Sequence, residues 1–189
     1  MNLVLASTSP RRLDLVRRLG TEPARVVAPA IDEAPRPREL PRDYALRLAI
    51  EKAHAVDRAP DEIVLAGDTT VALGRRILPP ADTADIQREL LGKLSGRRHH
   101  CLSGVCVIAP DGTVRTRLAD TIVAFKPLSA QEVDGYIDCG EGLGKAGGYA
   151  IQGRAEAFVR FIHGSHSGVM GLPLFETRAL LRAAGLPIG

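Results

Sequence analysis

Apolar residues along the chain recur either in short continuous runs or at helical spacing. The runs at residues 3–6 and 63–66 are typical of buried strands, whereas residues 44–56 and 83–94 bring their apolar side chains to one helical face. The same patterns, with turn and capping signals, predict further strands at 25–28, 100–108, 113–125 (one long strand or two shorter ones) and 157–162, and helices at 10–19, 129–139 and 172–184.

The turn between the first strand and the first helix carries three hydroxyl residues, 7–9, followed by Pro10, Arg11 and Arg12. Ser9 can cap the helix, and proline suits its first position. Free backbone N–H groups and the positive end of a helix meet at such a turn, and arginine binds phosphate through a two-pronged fork. Two interpretations stay open here: a cradle for a polyphosphate, or an ordinary capped helix with solvated arginines.

Asp68 follows the apolar run at 63–66 and is flanked by Gly67 and two threonines. A carboxylate at the end of a buried strand is suited to binding magnesium or to activating a water molecule, and an Asx turn is the structural alternative. Two further candidates are Glu33, beside Asp32 in a loop rich in Pro and Arg, and Lys52 on a predicted helix. Taken alone, each is more typical of a solvated surface.

Residues 140–153 contain six glycines but match neither common nucleotide-binding pattern. A P-loop would need Gly at position 139 and Ser or Thr at position 146, which are Cys and Ala, and the Gly140/Gly142 pair lacks the third glycine and the preceding strand of a dinucleotide fingerprint. A glycine-rich loop with one lysine, Lys145, can still direct N–H groups at phosphate, and a flexible turn is the alternative. A short strand at 149–151 is predicted to hold Gln152, whose amide can pair with the edge of a base.

Composition narrows the class of protein. With 189 residues, 45% hydrophobic and 25% charged, the chain is predicted to form one globular domain. Three cysteines favour a reducing cytoplasm over a disulfide framework, and neither a signal peptide nor a membrane span is predicted. The net charge of +3 suits an anionic partner, but 4% aromatic residues make nucleic acid unfavoured. The histidine spacing does not suggest a structural zinc site. A serine hydrolase has no support either, because no Gly-x-Ser-x-Gly nucleophile elbow is present in the sequence.

These segments together supply cationic phosphate ligands, carboxylates for a metal ion and an amide for a base, which are the groups needed for metal-assisted hydrolysis of a phosphoanhydride. Their order and wording resemble the Maf family of nucleoside triphosphate pyrophosphatases over nearly the whole chain. The motifs that carry the resemblance are Leu-Ala-Ser-Thr-Ser-Pro-Arg-Arg at 5–12, the block around Lys52, Gly-Asp-Thr-Thr-Val at 67–71, Leu-Ser-Gly-Arg-x-His at 94–99, Lys-Ala-Gly-Gly-Tyr-Ala-Ile-Gln-Gly at 145–153 and Gly-Leu-Pro-Leu-Phe-Glu-Thr at 171–177.

The resemblance implies an α/β fold of the inosine-triphosphatase-like kind: a mixed, elongated central sheet flanked by helices, with a deep cleft, in a single domain over residues 1–189 of one or two lobes. It implies cleavage of a nucleoside triphosphate to the monophosphate and pyrophosphate with a divalent cation, usually Mg²⁺, and it raises the expectation of a homodimer. The form Ala-Ile-Gln-Gly at 150–153 is similar to the branch that acts on dTTP and UTP. The alternatives are a pyrophosphatase for 7-methyl-GTP or other modified nucleotides, and a non-catalytic nucleotide-binding regulator of septum formation.

The resemblance also assigns roles by matching positions. Asp68 is the expected proton acceptor, and with Glu33 it is an expected metal ligand. The positions linked to substrate choice are Arg11, Thr69 and Gln152. The expected phosphate ligands are Ser7, Ser9, Arg11, Arg12, Lys52 and Lys145.

Three segments depart from the family pattern. Pro79-Pro80 stands where a cleft lysine is usual, and its absence favours the regulator alternative. Gly142-Leu143 stands where a tryptophan is usual, and residues 165–168 replace a Ser-Tyr-Ser-Asn element. A buried lysine contact to phosphate is worth about 1.5–3 kcal/mol, so the first departure bears on the rate of reaction.

Overall fold

A seven-stranded mixed sheet runs through residues 1–188, which are the residues that the computed structural model describes. Its strand order is β2-β1-β3-β5-β6-β7, and β4 pairs with the far end of β3. The strands are β1 (Asn2–Ala6), β2 (Arg25–Val27), β3 (Glu62–Leu73), β4 (Arg76–Leu78), β5 (Arg98–Ile108), β6 (Val114–Phe125) and β7 (Val159–His163). β1 is parallel to both β2 and β3, whereas the remaining pairs are antiparallel.

Helices cover both faces of this sheet, which confirms the predicted α/β class. They are α1 (Pro10–Arg18), α2 (Pro41–His54), α3 (Ala84–Leu94), α4 (Ala130–Asp138), α5 (His166–Met170) and α6 (Leu174–Ala183). Val4 and Val64 pack with α2 on one face, whereas Leu3 and Ile63 belong to the larger core on the other. Burial on both faces explains why the central strands are continuous apolar runs rather than alternating ones.

The prediction that a strand ends at residue 66 is wrong, because β3 continues through Asp68 to Leu73. β5 pairs with β3 from Val64 to Ala72, and this antiparallel partner carries the strand onward after β1 has ended. Asp68 is therefore a strand residue, and the Asx-turn alternative does not apply. β6 is one long strand, which settles the choice left open at 113–125.

Two further expectations are wrong in the C-terminal part. Residues 149–151 form no strand; they lie in loop and turn, followed by a 3₁₀ turn at Arg154–Phe158, so β7 begins at Val159. The glycines and serines of residues 164–168 are typical of a turn, but this segment includes the start of α5, whose N-terminus is capped by the Ser165 hydroxyl. Serine caps leave short helices and turns hard to separate from sequence alone.

One edge of β3 has a gap that positions the site. β1 pairs with β3 only as far as Ala66, and β4 joins the same edge only from Val71. Residues 67–70 therefore have no strand partner on that edge. Gly67 begins the gap, and a Cβ atom there would lie 3.2 Å from a Leu172 side-chain carbon. Side chains from both faces of β3 can reach around such an open edge into one space.

No helix among residues 1–188 is both long enough and apolar enough to cross a bilayer.

Candidate active site

A cleft with about 820 Å³ of empty space, part of it open to solvent, lies at the unpaired edge of β3. It receives residues from the loop before α2, from α1 and α2, from β3, and from the glycine-rich loop. Every residue predicted for the site lines it except Ser7, namely Ser9, Arg11, Arg12, Glu33, Lys52, Asp68, Thr69, Lys145 and Gln152.

Lys52 forms the centre of an acidic cluster on one side of the cleft. Its Nζ lies 2.7 Å from Asp68 Oδ1 and 3.1 Å from Glu33 Oε1. The second oxygen of Asp68 accepts a hydrogen bond of 3.3 Å from the Thr70 hydroxyl. Lys52 and Asp68 are buried, at 6% and 7% exposure, whereas the Glu33 side chain is 55% exposed. Lys52 is thus a buried ion-pair partner and not the solvated helical lysine that its local sequence favours.

The two arginines of α1 are anchored by backbone carbonyls at the end of α5. Arg11 Nε donates to the Met170 carbonyl at 3.2 Å, and Arg12 Nε donates to the Gly171 carbonyl at 2.9 Å. Burial lowers the pKa of both guanidiniums, and for Arg11 the like charge of Arg12 lowers it further. Since the Nε atoms are engaged, the parts left to bind a ligand are both Nη atoms of Arg11 and Nη2 of Arg12, whose Nη1 contacts Ser7.

Ser7 is buried behind the cleft and supports it. Its Oγ accepts hydrogen bonds from Arg12 Nη1 at 3.3 Å and from the Ser9 backbone N–H at 3.2 Å. Ser9 occupies the N-cap position of α1, but its side chain makes no capping hydrogen bond. Ser7 therefore holds the turn and Arg12 together, and the predicted cap is Ser9 by position only.

The glycine-rich loop is held by the Pro79-Pro80 segment. Gly147 N donates to the Pro79 carbonyl at 3.2 Å, Ala81 N to the Lys145 carbonyl at 3.1 Å, and Gly144 N to the Ala81 carbonyl at 2.8 Å. Gly144 and Gly147 adopt φ angles of 69° and 70°, which favour glycine because other residues have a Cβ. The segment that lacks the family's lysine therefore fixes Lys145 beside the cleft.

The other two departures also have structural consequences. A Cβ atom on Gly142 would lie 2.1 Å from the Gly148 carbonyl oxygen, so this loop conformation excludes any side chain there. Residues 165–168 belong to α5 and its cap, and the Gly168 carbonyl accepts a hydrogen bond of 2.6 Å from Ser103 Oγ.

Cations without an ion-pair partner also line the cleft. Among residues 1–188, Arg11, Arg12 and Lys145 form no ion pair, whereas Lys52 is shared by two carboxylates. Burial lowers the pKa of Lys145, and the charge of Arg11 lowers it further. Like charges crowded together in a partly buried cleft attract a polyanion, and phosphate groups fit such a site.

The carboxylates suit a divalent cation bound together with its substrate. The described residues contain no cluster of three or more His, Cys, Asp or Glu side chains that could hold a metal. Glu33 and Asp68 share one ammonium group and so supply two carboxylates at one place. Mg²⁺ is typically bound by one or two carboxylates plus water and substrate phosphates, so this donor set fits Mg²⁺.

Sequence reasoning missed two residues of the site. Tyr149 lines the cleft, and its hydroxyl lies 2.7 Å from His99 Nε2. Ser103 lies behind the cleft, opposite Thr69 in the β3–β5 pair, with their hydroxyl oxygens 3.1 Å apart. Tyr149 lies within the motif at 145–153, but no local signal marks Ser103, and both contacts depend on how distant segments are placed against each other.

The comparisons with known proteins agree along the whole chain. The Maf-like protein family matches residues 2–184. A dTTP/UTP pyrophosphatase of Sphingopyxis alaskensis is 69% identical over 99% of this chain and 98% of its own length. A dTTP/UTP pyrophosphatase of Novosphingobium aromaticivorans is 59% identical over 98% of this chain and 93% of its own length.

Among solved structures, a nucleoside-triphosphatase (dITP/XTP pyrophosphatase) of Mycobacterium abscessus matches 97% of this chain and 94% of that chain. Its TM-score is 0.48 and its sequence identity is 18%.

Proposed function

Because this chain belongs to the Maf family, we propose that it hydrolyses nucleoside triphosphates to the monophosphate and pyrophosphate, with dTTP and UTP preferred. The high identity to relatives named for these two substrates supports the proposal. The arrangement of charges in the cleft supports it independently.

The observation that carries the proposal is the juxtaposition of three unpaired cations with a buried carboxylate in one cleft. Arg11, Arg12 and Lys145 would bind the triphosphate, and Asp68, held by Lys52, lines the same cleft. A triphosphate bound by these cations has its phosphoanhydride in the same cleft as a group that can accept a proton. This is the arrangement that pyrophosphate release requires.

In the proposed reaction, a water molecule attacks the α-phosphorus and the bond from that phosphorus to the bridging oxygen breaks. The water's proton goes to Asp68, and the electron pair of the broken bond leaves with pyrophosphate. Arg11, Arg12 and Lys145 stabilise the negative charge that develops on the leaving group. Lys52 orients the Asp68 carboxylate through its 2.7 Å hydrogen bond.

Glu33 and Asp68 would hold Mg²⁺ in this reaction, together with the phosphates of the substrate. When bound, the ion neutralises phosphate charge and makes the phosphorus more electrophilic. Glu33 is the more accessible of the two carboxylates, and its contact with Lys52 is the longer one, so it is the side chain free to turn toward an incoming ion.

Base selection is assigned to Thr69 and Gln152. Both line the cleft, and the Gln152 amide is exposed there without a hydrogen bond to another described residue. An amide supplies one donor and one acceptor group, and the edge of uracil or thymine presents acceptor, donor, acceptor.

A cytoplasmic location and a homodimer, both expected from the sequence, stay predictions.

The test is a product assay on the purified protein with dTTP, UTP, CTP, GTP and 7-methyl-GTP, with and without Mg²⁺. We expect monophosphate and pyrophosphate in a 1:1 ratio, highest kcat/KM for dTTP and UTP, and a kcat lowered about 10²–10⁴-fold by Asp68→Asn. A preference for 7-methyl-GTP would contradict the assigned substrates. Tight binding of nucleotide without any product would favour the regulator alternative and contradict the catalytic role of Asp68.

A further inference from the structure

The hydroxyl of Ser103 can act in only one direction. Ser103 is 1% exposed, and its Oγ lies 2.6 Å from the carbonyl oxygen of Gly168 on α5. A carbonyl oxygen can only accept, so at this distance the single Ser103 proton lies between the two oxygens. Ser103 therefore has no proton left for any other partner.

This direction determines the orientation of the neighbouring hydroxyl. Thr69 and Ser103 lie directly opposite each other in the β3–β5 pair, and their hydroxyl oxygens are 3.1 Å apart. Since the Ser103 hydroxyl donates its hydrogen bond to the Gly168 carbonyl, the hydrogen bond between the two hydroxyls is donated by Thr69. Thr69 Oγ1 then has only lone pairs to offer to the cleft that it lines.

We propose that Ser103 is a specificity-determining residue, which fixes the Thr69 hydroxyl as a hydrogen-bond acceptor and so selects a base that presents an N–H group. The proposal rests on the proposed function and deepens it. Uracil and thymine carry an N3–H, whereas cytosine has a lone pair at N3. With cytosine, the lone pairs of Thr69 Oγ1 and of N3 face each other, so no hydrogen bond forms and the two atoms repel. Thr69 as an acceptor therefore disfavours cytosine.

The flexible amide of Gln152 cannot make this distinction alone. By rotating about its terminal bond it exchanges its donor and acceptor, so it can pair with the edge of either pyrimidine. The Thr69 hydroxyl cannot rotate away without breaking the chain of hydrogen bonds to Gly168. The distinction between UTP and CTP is therefore assigned to the pair Thr69–Ser103.

Ser103→Ala tests the proposal on the full-length protein. The Gly168 carbonyl keeps its hydrogen bond from Gly171 N, so no carbonyl is left unpaired by this change. Freed from Ser103, the Thr69 hydroxyl can donate to N3 of cytosine. We expect the ratio of kcat/KM for UTP to that for CTP to fall about tenfold, mostly through a gain for CTP.

A double-mutant cycle separates this effect from a structural one. Thr69→Val should lower the same ratio through a loss for UTP, and adding Ser103→Ala to Thr69→Val should change the ratio no further. Thr177→Val is the matched control, because it also removes a buried hydroxyl that donates to a backbone carbonyl, at 2.7 Å, but lies outside the cleft. It should lower thermal stability and leave the ratio unchanged.

Two results would overturn the proposal: a UTP-to-CTP ratio of kcat/KM that Ser103→Ala leaves unchanged, whether or not both values fall, or a further fall of the ratio when Ser103→Ala is added to Thr69→Val. If Ser103→Ala does not fold, an unchanged ratio in Thr69→Val overturns it as well. A failure of the proposed function is seen separately, as a parent protein that hydrolyses neither dTTP nor UTP.

Discussion

Replacing Lys52 by methionine tests the buried ion pair between Lys52 and Asp68 most directly. The substitution keeps the length of the side chain and removes the ammonium group that lies 2.7 Å from Asp68. Asp68 is 7% exposed, so little solvent would replace the lost ammonium, and the carboxylate would keep the Thr70 hydroxyl at 3.3 Å. Removing one member of a buried ion pair costs about 3–5 kcal/mol.

We expect a loss of about 3 kcal/mol in the free energy of unfolding, at the lower end of that range because the charge of Arg12 also acts on Asp68. The contact between Lys52 and Glu33 adds less than about 1 kcal/mol, because the Glu33 side chain is 55% exposed. Glu33→Gln is therefore the matched control: it removes the other carboxylate of the same lysine and should cost under about 1 kcal/mol.

The measurement is urea unfolding in buffer without divalent cations, for Lys52→Met, Asp68→Asn and the double variant. If the two side chains form a buried ion pair, the double variant should lose about 2 kcal/mol less than the sum of the single variants. Asp68→Asn should also lower kcat by about 10²–10⁴-fold, as expected for the loss of a general base. Additive stability losses, or a Lys52→Met variant within about 0.5 kcal/mol of the parent, would refute the buried pair.

Three further predictions concern the phosphate site, the base and pH. Arg11→Lys should lower kcat/KM about tenfold for every triphosphate, because an ammonium group cannot bind the Met170 carbonyl and bind phosphate through two nitrogens at once. Arg17→Lys, on the exposed side of α1, is the control and should leave kcat/KM unchanged. Equal activity of the Arg11 variant and the parent would contradict two-pronged phosphate binding by Arg11. Gln152→Ala should narrow the preference for UTP over GTP more than it slows the best substrate, and unchanged kcat/KM ratios would contradict a role in reading the base. Burial lowers the pKa of His99 to about 4, against about 6.5 in the unfolded chain. The contribution of the neutral ring to stability is therefore complete above pH 6.5 and is lost as the pH falls toward 4. It amounts to at most about 3 kcal/mol. His99→Gln should flatten the pH dependence of urea unfolding between pH 6.5 and 4, and an unchanged slope would contradict that assignment.

Local signals in the sequence determined the elements that begin the chain and the composition of the site. Pro10 and Gly20 bound α1 within two residues, and the capping box of Ser129 and Glu132 opens α4 as predicted. These signals work because a cap or a left-handed turn depends on neighbours within one helical turn. Nine of the ten predicted site residues line one cleft. Side-chain chemistry marked the arginines, Asp68 and Lys145, whereas Glu33 and Lys52 were assigned through the resemblance to the Maf family.

Only the tertiary structure decided what those residues do to one another. Lys52 becomes a buried ion-pair partner because α2 lies against β3, and Arg11 is aimed by a carbonyl 159 residues further along the chain. The direction of the Thr69 hydroxyl follows from the register of β3 against β5 and from the place of α5 behind them. Hydrophobic periodicity shows which face of an element is buried but not which residue of a distant segment stands opposite, because the same pattern fits several registers and packings.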